Sequence, residues 1–552
     1  MSFAAGVANR LCLAAAVPAH RRLERALRDP AAAQRRILER ILGENAQSAF
    51  GCRHGFADMK TVAEFRARVP SREYDELAAD IRLIAGGARD VLTTHDVVCF
   101  EATTGSSRAA KLVPYTRALL REFSAGTLAW IYDLLAHRPA MRDGRAYWAV
   151  TPPARPATVA ATRIPIGMDH DSDYFPSAVR ALLDRVLGTP RALSRAPNID
   201  AARYLTLRVL VAIPDLAFIS VWNPSFLSLL ADALDDFWPH LLCDMETGRL
   251  SLALDDALRG ELSRALPARP SLAAELRRRF HRRPPEDLGE LWTKLAMISC
   301  WTEAHAGRAL AGMTRRFPRV EVQGKGLLAT EGVVTIPLIE ANGCVPAVTS
   351  HFLEFVPNAA GDNSHALGVE ELEVGQSYEV LLTTSGGLYR YQLKDVVRVE
   401  GRYKAVPLLS FRGRADRTSD LVGEKLSASF VEHAIQAAVE AAGVRPQFAM
   451  LAPVWGEPPR YELFVECDIA ASEHLARALE MQLAMSHHYA LCRRLGQLGG
   501  VRAVAVRDAE RTYERVCVSR GQRAGAIKPT ALDERLGWDE EFSNSRDRAV
   551  VA

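Results

Sequence analysis

Long apolar runs, paired cysteines and a surplus of either charge are all missing from this chain. The apolar stretch Leu11 to Val17 is too short to span a bilayer, and His20, Arg21 and Arg22 follow it closely. It is expected to form an amphipathic helix resting on the main body rather than a signal peptide, and no stable membrane insertion is expected. The nine cysteines are odd in number, scattered, and contain no C-x-x-C pair. That argues against a disulfide framework or a zinc site and for reduced thiols in a cytoplasmic protein. Lysine and arginine total 69 against 66 acids, a net charge of +3. So even a balance excludes a polyanion-binding face, and nucleic acid is not an expected partner. No internal repeat or low-complexity segment is present, and the fourteen histidines fall at no metal-ligand spacing.

What the chain does have is length and apolar content: 552 residues, 48% of them hydrophobic. That is enough to bury a large core and to divide into a big and a small domain. Helical spacing from Ala31 to Gly43 and again from Thr61 to Val69 makes the first hundred residues mostly helical. Val97 to Phe100, Ala146 to Thr151 and Leu216 to Trp222 read as strands, and Asn223-Pro224 has the form of an N-cap followed by a helical proline. The stretch from there to about Phe317 is dominated by helical periodicity. Strand-like runs follow at Val333 to Leu338, Tyr378 to Thr383, Asp395 to Val399 and Leu408 to Phe411, and then helix and strand return after Gly423. The expected class is α/β: a large N-terminal α/β domain with a β-rich subdomain, residues 1–413, and a smaller mobile C-terminal α/β domain, residues 414–552.

Three clusters carry chemistry. Thr103-Thr104-Gly105-Ser106-Ser107 follows a strand, with Lys111 a few positions on. Backbone N–H groups and hydroxyls in such a turn suit the β- and γ-phosphates of ATP, although it is not a Walker A loop, which needs a second glycine and a Lys-Ser/Thr pair. The second cluster is Leu327-Leu328-Ala329-Thr330-Glu331-Gly332, followed by His351-Phe352-Leu353-Glu354-Phe355-Val356-Pro357. Magnesium takes hard oxygen ligands, so a glutamate beside a threonine at a strand end suits a nucleotide-bound Mg2+. Gly324-x-Gly326-x-x-Ala329 in the same region imitates a dinucleotide fingerprint, but a strand rather than a helix is expected after it, which discounts NAD. The third cluster is Gly387-Leu388-Tyr389-Arg390-Tyr391-Gln392-Leu393-Lys394-Asp395-Val396, then Phe411-Arg412-Gly413-Arg414-Ala415-Asp416 and Gly423-Glu424-Lys425-Leu426. An aspartate there can accept both ribose hydroxyls, and an arginine just before a hinge can reach ribose or phosphate.

In this order, and with Arg53-His54-Gly55-Phe56 and Phe65-Arg66-x-x-Val69-Pro70 ahead of them, the clusters resemble the Gretchen Hagen (auxin-responsive) family of acyl-acid amido synthetases. That family is a branch of the adenylate-forming superfamily, which also holds acyl-CoA synthetases and luciferases. The resemblance implies that Thr103, Thr104, Gly105, Ser106, Ser107 and Lys111 hold ATP phosphates, that Thr330 and Glu331 lie at the nucleotide with Glu331 ligating Mg2+, and that Asp395 binds ribose with Arg414 beside it. It further implies catalytic roles for Lys425 and for Lys528, the latter swinging in over the α-phosphate. The chain departs from the family pattern at Arg108-Ala109 and Lys394, where a glycine is usual, and at Leu327, where an aromatic is usual.

A carboxylate is a poor electrophile, so amide formation in water needs activation. The implied activity is attack of a small carboxylic acid on ATP to give an acyl-adenylate and pyrophosphate, followed by transfer to the amine of an amino acid with release of AMP. The second step needs proximity and a proton acceptor, for which Glu354, His351 or solvent are the candidates. The competing readings are an acyl-CoA synthetase and an inactive nucleotide-binding homologue. A monomer or weak dimer is expected.

Overall fold

The computed structural model describes residues 3–102, 111–149, 164–168, 174–303, 307, 310–357, 366–415, 418–422, 424–494, 496–520, 522 and 527–548. The loop residues Thr103 to Ser107 therefore lie outside the described residues. By backbone proximity the chain forms two compact units. The first is Met1–Trp222, Leu230–Trp301 and Arg316–Phe411; the second is Asn223–Leu229, Thr302–Arg315 and Arg412–Ala552.

The first unit begins with the helix Phe3–Ala26, which contains the Leu11 to Val17 run. Its Ala5, Ala8, Cys12, Ala16 and Leu23 are buried while Leu11 is exposed, so it is the amphipathic helix the sequence suggests. The Asn9 amide pins it by donating to the Gly144 carbonyl at 2.8 Å. Helix Pro30–Glu44 is capped by Asp29, and Val62–Arg68 by a reciprocal Thr61/Glu64 capping box. Buried Asn45 follows the second helix and holds the chain ahead of strand Val97–Ala102: its side-chain oxygen accepts from Thr93 Oγ at 2.8 Å and Thr94 N at 3.0 Å.

Four parallel strands run in chain order through the centre: Arg145–Trp148, Leu216–Ser220, Met297–Cys300 and Glu321–Gly324. The third lies inside the stretch that reads as helical, because four fully buried residues show neither a period of 2 nor one of 3.6. Helices Pro224–Thr247, Asp256–Ala265, Pro270–Phe280 and Leu310–Arg316 lie in the same stretch. A second, four-stranded sheet orders Phe352–Pro357, Ser377–Thr383, Tyr391–Tyr403 and Val406–Arg414, antiparallel across the first three. After Gly324 no helix begins. Leu328–Ala329 and Gly332–Val333 pair as a hairpin, so the glycine pattern there is no dinucleotide turn.

In the second unit Ala449–Val454 pairs antiparallel with Arg460–Val465, which pairs parallel with Arg502–Ala505. Helix Ala428–Ala442 closes on Gly443 in the left-handed conformation. The Asn223 to Leu229 segment joins this unit through a reason composition does not signal: Asn223 Nδ2 donates to the Ile527 carbonyl at 3.1 Å. Asn223 also caps its own helix, accepting from Ser225 N at 3.0 Å. No helix among the described residues is long and apolar enough to cross a membrane.

Asn45→Ala leaves the Thr94 N–H without its acceptor and opens a buried gap, so we expect a loss of about 1–3 kcal/mol, read as a lowered urea midpoint at unchanged slope.

Candidate active site

The strands on either side of the hydroxyl-rich segment pair antiparallel. Val97–Ala102 pairs with Leu112–Thr116, and the last rung is Ala102 opposite Leu112. Tyr74 secures the foot of that loop, its phenol oxygen accepting from Leu112 N at 2.8 Å. The Lys111 ammonium lies 5.3 Å from the centre of the same ring. Lys111 is thus held at the loop's exit by an aromatic face, a contact that leaves its charge intact.

Thr330 and Glu331 form the two-residue tip of the hairpin between Leu328–Ala329 and Gly332–Val333. Tyr115 donates its phenol proton to the Thr330 carbonyl at 2.6 Å, and Tyr391 donates to Glu331 Oε1 at 3.3 Å. Burial, then the neighbouring Tyr174, Glu101 and Glu331, push the Tyr115 phenol well above its ordinary range, so it remains a protonated donor. Glu331 also adds to the upward push on Tyr74, whose main cause is burial. The loop foot and the Glu331 tip therefore share one electrostatic neighbourhood inside the first unit. Beneath the tip, Gly332 has no room for a side chain: a Cβ would fall 2.7 Å from Leu382 and 2.9 Å from the His351 ring.

The third cluster joins the same place. Gly387 takes a φ of +99°, and a Cβ there would meet Leu92 at 2.6 Å. Tyr389 turns inward, stacks on Phe50 at 4.7 Å and donates to the Leu92 carbonyl at 2.7 Å. Backbone bonds from Arg72 N to Arg390 O and from Gln392 N to Arg72 O zip this segment to the stretch just before Tyr74. Along the strand the register runs from Leu381 opposite Gln392 to Glu379 opposite Val396, so Leu393, Lys394 and Asp395 form a bulge. Lys394 sits there at φ +61°, a conformation glycine adopts freely, and its ammonium pairs with Glu73 at 2.9 Å. Asp395 is buried beside it. Within the first unit, Lys111, Thr330, Glu331 and the Tyr391 to Asp395 segment are thus linked through Tyr74, Glu73 and Tyr115.

His351 and Glu354 occupy the interior rather than a surface. Glu354 is 1% exposed and shared by two guanidinium groups: Arg66 Nε donates to one oxygen at 2.9 Å and Arg390 Nε to the other at 3.1 Å. Such a carboxylate anchors the 387–394 segment, and its position gives no support to proton acceptance from an amine. His351 is fully buried, with Nδ1 3.0 Å from Glu122 and Nε2 turned toward Gly332. Glu122 also binds Arg40 at 2.6 Å and accepts from Ser385 Oγ at 2.5 Å and Ser385 N at 3.1 Å. Burial alone would raise its carboxyl; the His351 and Arg40 contacts outweigh that and hold it below the ordinary glutamate value.

Tyr74, Tyr115 and Glu122 were not singled out in the sequence. One signal for Glu122 was available: it falls with Ala118, Leu119, Phe123 and Gly126 on the buried face of helix Arg117–His137, where a carboxylate is out of place unless paired.

In the second unit, Lys425 projects to solvent at φ +48° from a turn tied by buried Glu424, which accepts from Leu421 N, Val422 N and Tyr461 Oη at 2.7, 2.8 and 2.5 Å. Arg414 ends the strand Val406–Arg414. Lys528 has an exposed side chain, while its carbonyl accepts from Tyr513 at 3.3 Å. Among the described residues no cluster of three metal-ligating side chains occurs.

Comparison with known proteins adds the following. Residues 19–310 match the GH3 family N-terminal domain, 344–414 its central domain and 429–534 its C-terminal domain. A probable indole-3-acetic acid-amido synthetase of Oryza sativa subsp. japonica, GH3.12, is 27% identical over 76% of this chain and 74% of its own. A 4-substituted benzoates-glutamate ligase of Arabidopsis thaliana, also GH3.12, is 22% identical over 90% and 91%. The solved GH3.15 acyl acid amido synthetase shares the fold with a TM-score of 0.80 at 19% identity, covering 94% of both chains.

Two outcomes follow from the geometry. Because the Glu122 carboxyl is depressed in the folded state, its pairing stabilises above the ordinary glutamate value of 4.5 and is lost as pH falls through the lower folded value. Urea midpoints measured from pH 7 down to pH 3 should show an acid-dependent drop in the wild type that is smaller in Glu122→Gln. At the bulge, Lys394→Gly should leave stability within about 1 kcal/mol, since relief of the left-handed strain offsets a partly exposed ion pair, whereas Lys394→Val should cost more.

Proposed function

The chain belongs to the GH3 family, and from that membership and the geometry above we propose that it is an ATP-dependent acyl-acid amido synthetase. It joins a small carboxylic acid to the amine of an amino acid through an acyl-adenylate. The observation that carries the reading is the meeting of Lys111, the Thr330–Glu331 tip and the bulged Tyr391 to Asp395 segment in one neighbourhood of the first unit. Those groups fit a triphosphate: a cation at the segment's exit, a hard carboxylate oxygen at a hairpin tip, and an aspartate directly after the left-handed Lys394.

In this reading the 103–107 hydroxyls and Lys111 take phosphate oxygens, Asp395 takes the ribose hydroxyls, and Glu331 supplies the oxygen donor for Mg2+. When bound, Mg2+ neutralises charge on the polyphosphate. Tyr391 and Tyr115 keep the Glu331 tip in place, one through its carboxylate and the other through the preceding carbonyl. Preorganised donors of this kind lower the barrier because they need no reorientation as charge develops. Lys528 is assigned to the α-phosphate charge, Arg414 to the nucleotide and Lys425 to catalysis. His351 and Glu354 act as positioning groups. The proton released by the incoming amine goes to solvent.

The test is acid-dependent pyrophosphate release, followed by AMP formation with each amino acid or with coenzyme A in turn. We expect amide formation with at least one amino acid and a fall of about 10²- to 10³-fold in pyrophosphate release for Lys528→Ala and for Asp395→Ala. Thioester formation with coenzyme A alone would replace the amide reading, and nucleotide binding with no acid-dependent pyrophosphate would end it.

A further inference from the structure

The helix Phe3–Ala26 has an outward face that the proposed reaction does not use. Its inward residues, Ala5, Ala8, Cys12, Ala16 and Leu23, are buried. At about 100° per residue, Val7, Leu11, Ala14 and Pro18 fall within roughly a third of the circumference on the other side, and Arg21, Arg22 and Arg25 continue the same arc. All of them are exposed. A surface helix ordinarily turns charged and polar residues to water along its whole outer face. Here that face is apolar over its first part and basic over its second, in one continuous register. Val7 and Leu11 are 41% and 50% exposed, two of only ten large hydrophobic side chains so placed among the described residues.

No acid stands on the face. The one acid in the helix, Glu24, lies off it and is bound to Lys404. Among the described residues no carboxylate pairs with Arg21, Arg22 or Arg25, and Arg25 Nε donates only to the Arg21 carbonyl one turn back, at 3.2 Å. The first forty residues hold eight arginines, no lysine and three acids, a surplus of five positive charges in a chain whose total is +3. The balance over the whole chain, which argues against a polyanion-binding face, conceals this local surplus.

An occupant that complements the face is apolar along one stretch and anionic along the next. A second copy of the chain does not qualify, because pairing this helix with itself sets arginines against arginines in one direction and against the apolar stretch in the other. Nucleic acid offers phosphates with no apolar boundary beside them. A bilayer containing anionic lipid offers both, phosphates at the headgroup level and acyl carbon a few ångströms beneath.

We propose that this face adsorbs reversibly to an anionic lipid surface, the Val7 to Pro18 stretch dipping toward the acyl chains while Arg21, Arg22 and Arg25 take lipid phosphates. The helix lies on the surface and does not cross it, since no helix among the described residues is long and apolar enough to span a membrane. None of these residues belongs to the groups assigned to the reaction, so the lipid contact stands or falls apart from the function proposed above.

Co-sedimentation of the full chain with vesicles compares pure phosphatidylcholine with phosphatidylcholine containing about 30% phosphatidylglycerol. The anionic vesicles should bind at least about tenfold more tightly at low ionic strength, and raising the salt to about 0.5 M should remove the difference. Replacing the three arginines together, Arg21→Gln, Arg22→Gln and Arg25→Gln, should weaken binding by about 100-fold, near fivefold for each charge. Leu11→Gln keeps every charge and should still weaken binding severalfold by removing the apolar contact. All four positions face solvent, and urea midpoints equal to wild type show that the fold is intact. Absence of vesicle binding, equal affinity for neutral and anionic vesicles, or affinity unmoved in either variant would overturn the proposal. Sedimentation equilibrium of the chain alone is run in parallel, and a dimer abolished by Leu11→Gln would overturn it too, assigning the face to a second copy.

Discussion

Carboxylates taken out of water are stable only when cations and hydrogen-bond donors replace their hydration, and two such groups organise the first unit. An unpaired buried charge costs several kcal/mol, so Glu122 and Glu354 fix their partners as firmly as any apolar contact. The partners come from far along the chain. Arg40 and Arg66 belong to the N-terminal helical region, Arg390 and Ser385 to the antiparallel sheet and its turns, and His351 to the turn before strand Phe352–Pro357. Gln34 repeats the connection in neutral form, donating to the Val348 and His351 carbonyls and accepting from Leu353 N. The helical hundred residues are thereby clamped to the segments that carry Glu331 and Asp395, which is why a site assembled from distant motifs can have a fixed shape.

That clamp explains what the sequence made legible and what it concealed. Elements with a clean period or a cap could be read directly: Ala428–Ala442, where helix returns after Gly423, and Pro224–Thr247 behind Asn223. The strands Met297–Cys300 and Glu321–Gly324 could not, since each is only four residues long and the first is buried throughout. The run Val333 to Leu338 reads as one strand but is two, because Val334 N turns aside to the Leu327 carbonyl. At the site, the residue types in the motifs pointed to phosphate, ribose and a hard metal. Tyr74 and Tyr115, which join those motifs, sit in stretches with no pattern of their own; their meaning exists only once Leu112 and Thr330 lie against them. Lys394 shows the converse. A lysine in place of a family glycine suggests a lost function in a string of letters, yet the backbone keeps the glycine conformation and Glu73 receives the charge.

The charged groups of the first unit therefore divide by how they are solvated. Glu122 and Glu354 are met by guanidinium groups and further hydrogen-bond donors, which replace their hydration within the interior. Lys111 and Lys325 are met by ring faces, Tyr74 for one and Trp130 and Trp222 for the other. A π face stabilises a cation through a quadrupole that falls off steeply with distance, so beyond the ring the ammonium still presents its positive field. The first arrangement makes structure and consumes charge; the second, at Lys111, holds a cation in place against an aromatic face. Both lysines of the second kind lie where strands give way to other backbone, Lys111 beside the loop proposed for phosphate and Lys325 at the carboxyl end of the parallel sheet. At Lys111 that device is suited to holding a polyphosphate anion beside the segment proposed for it.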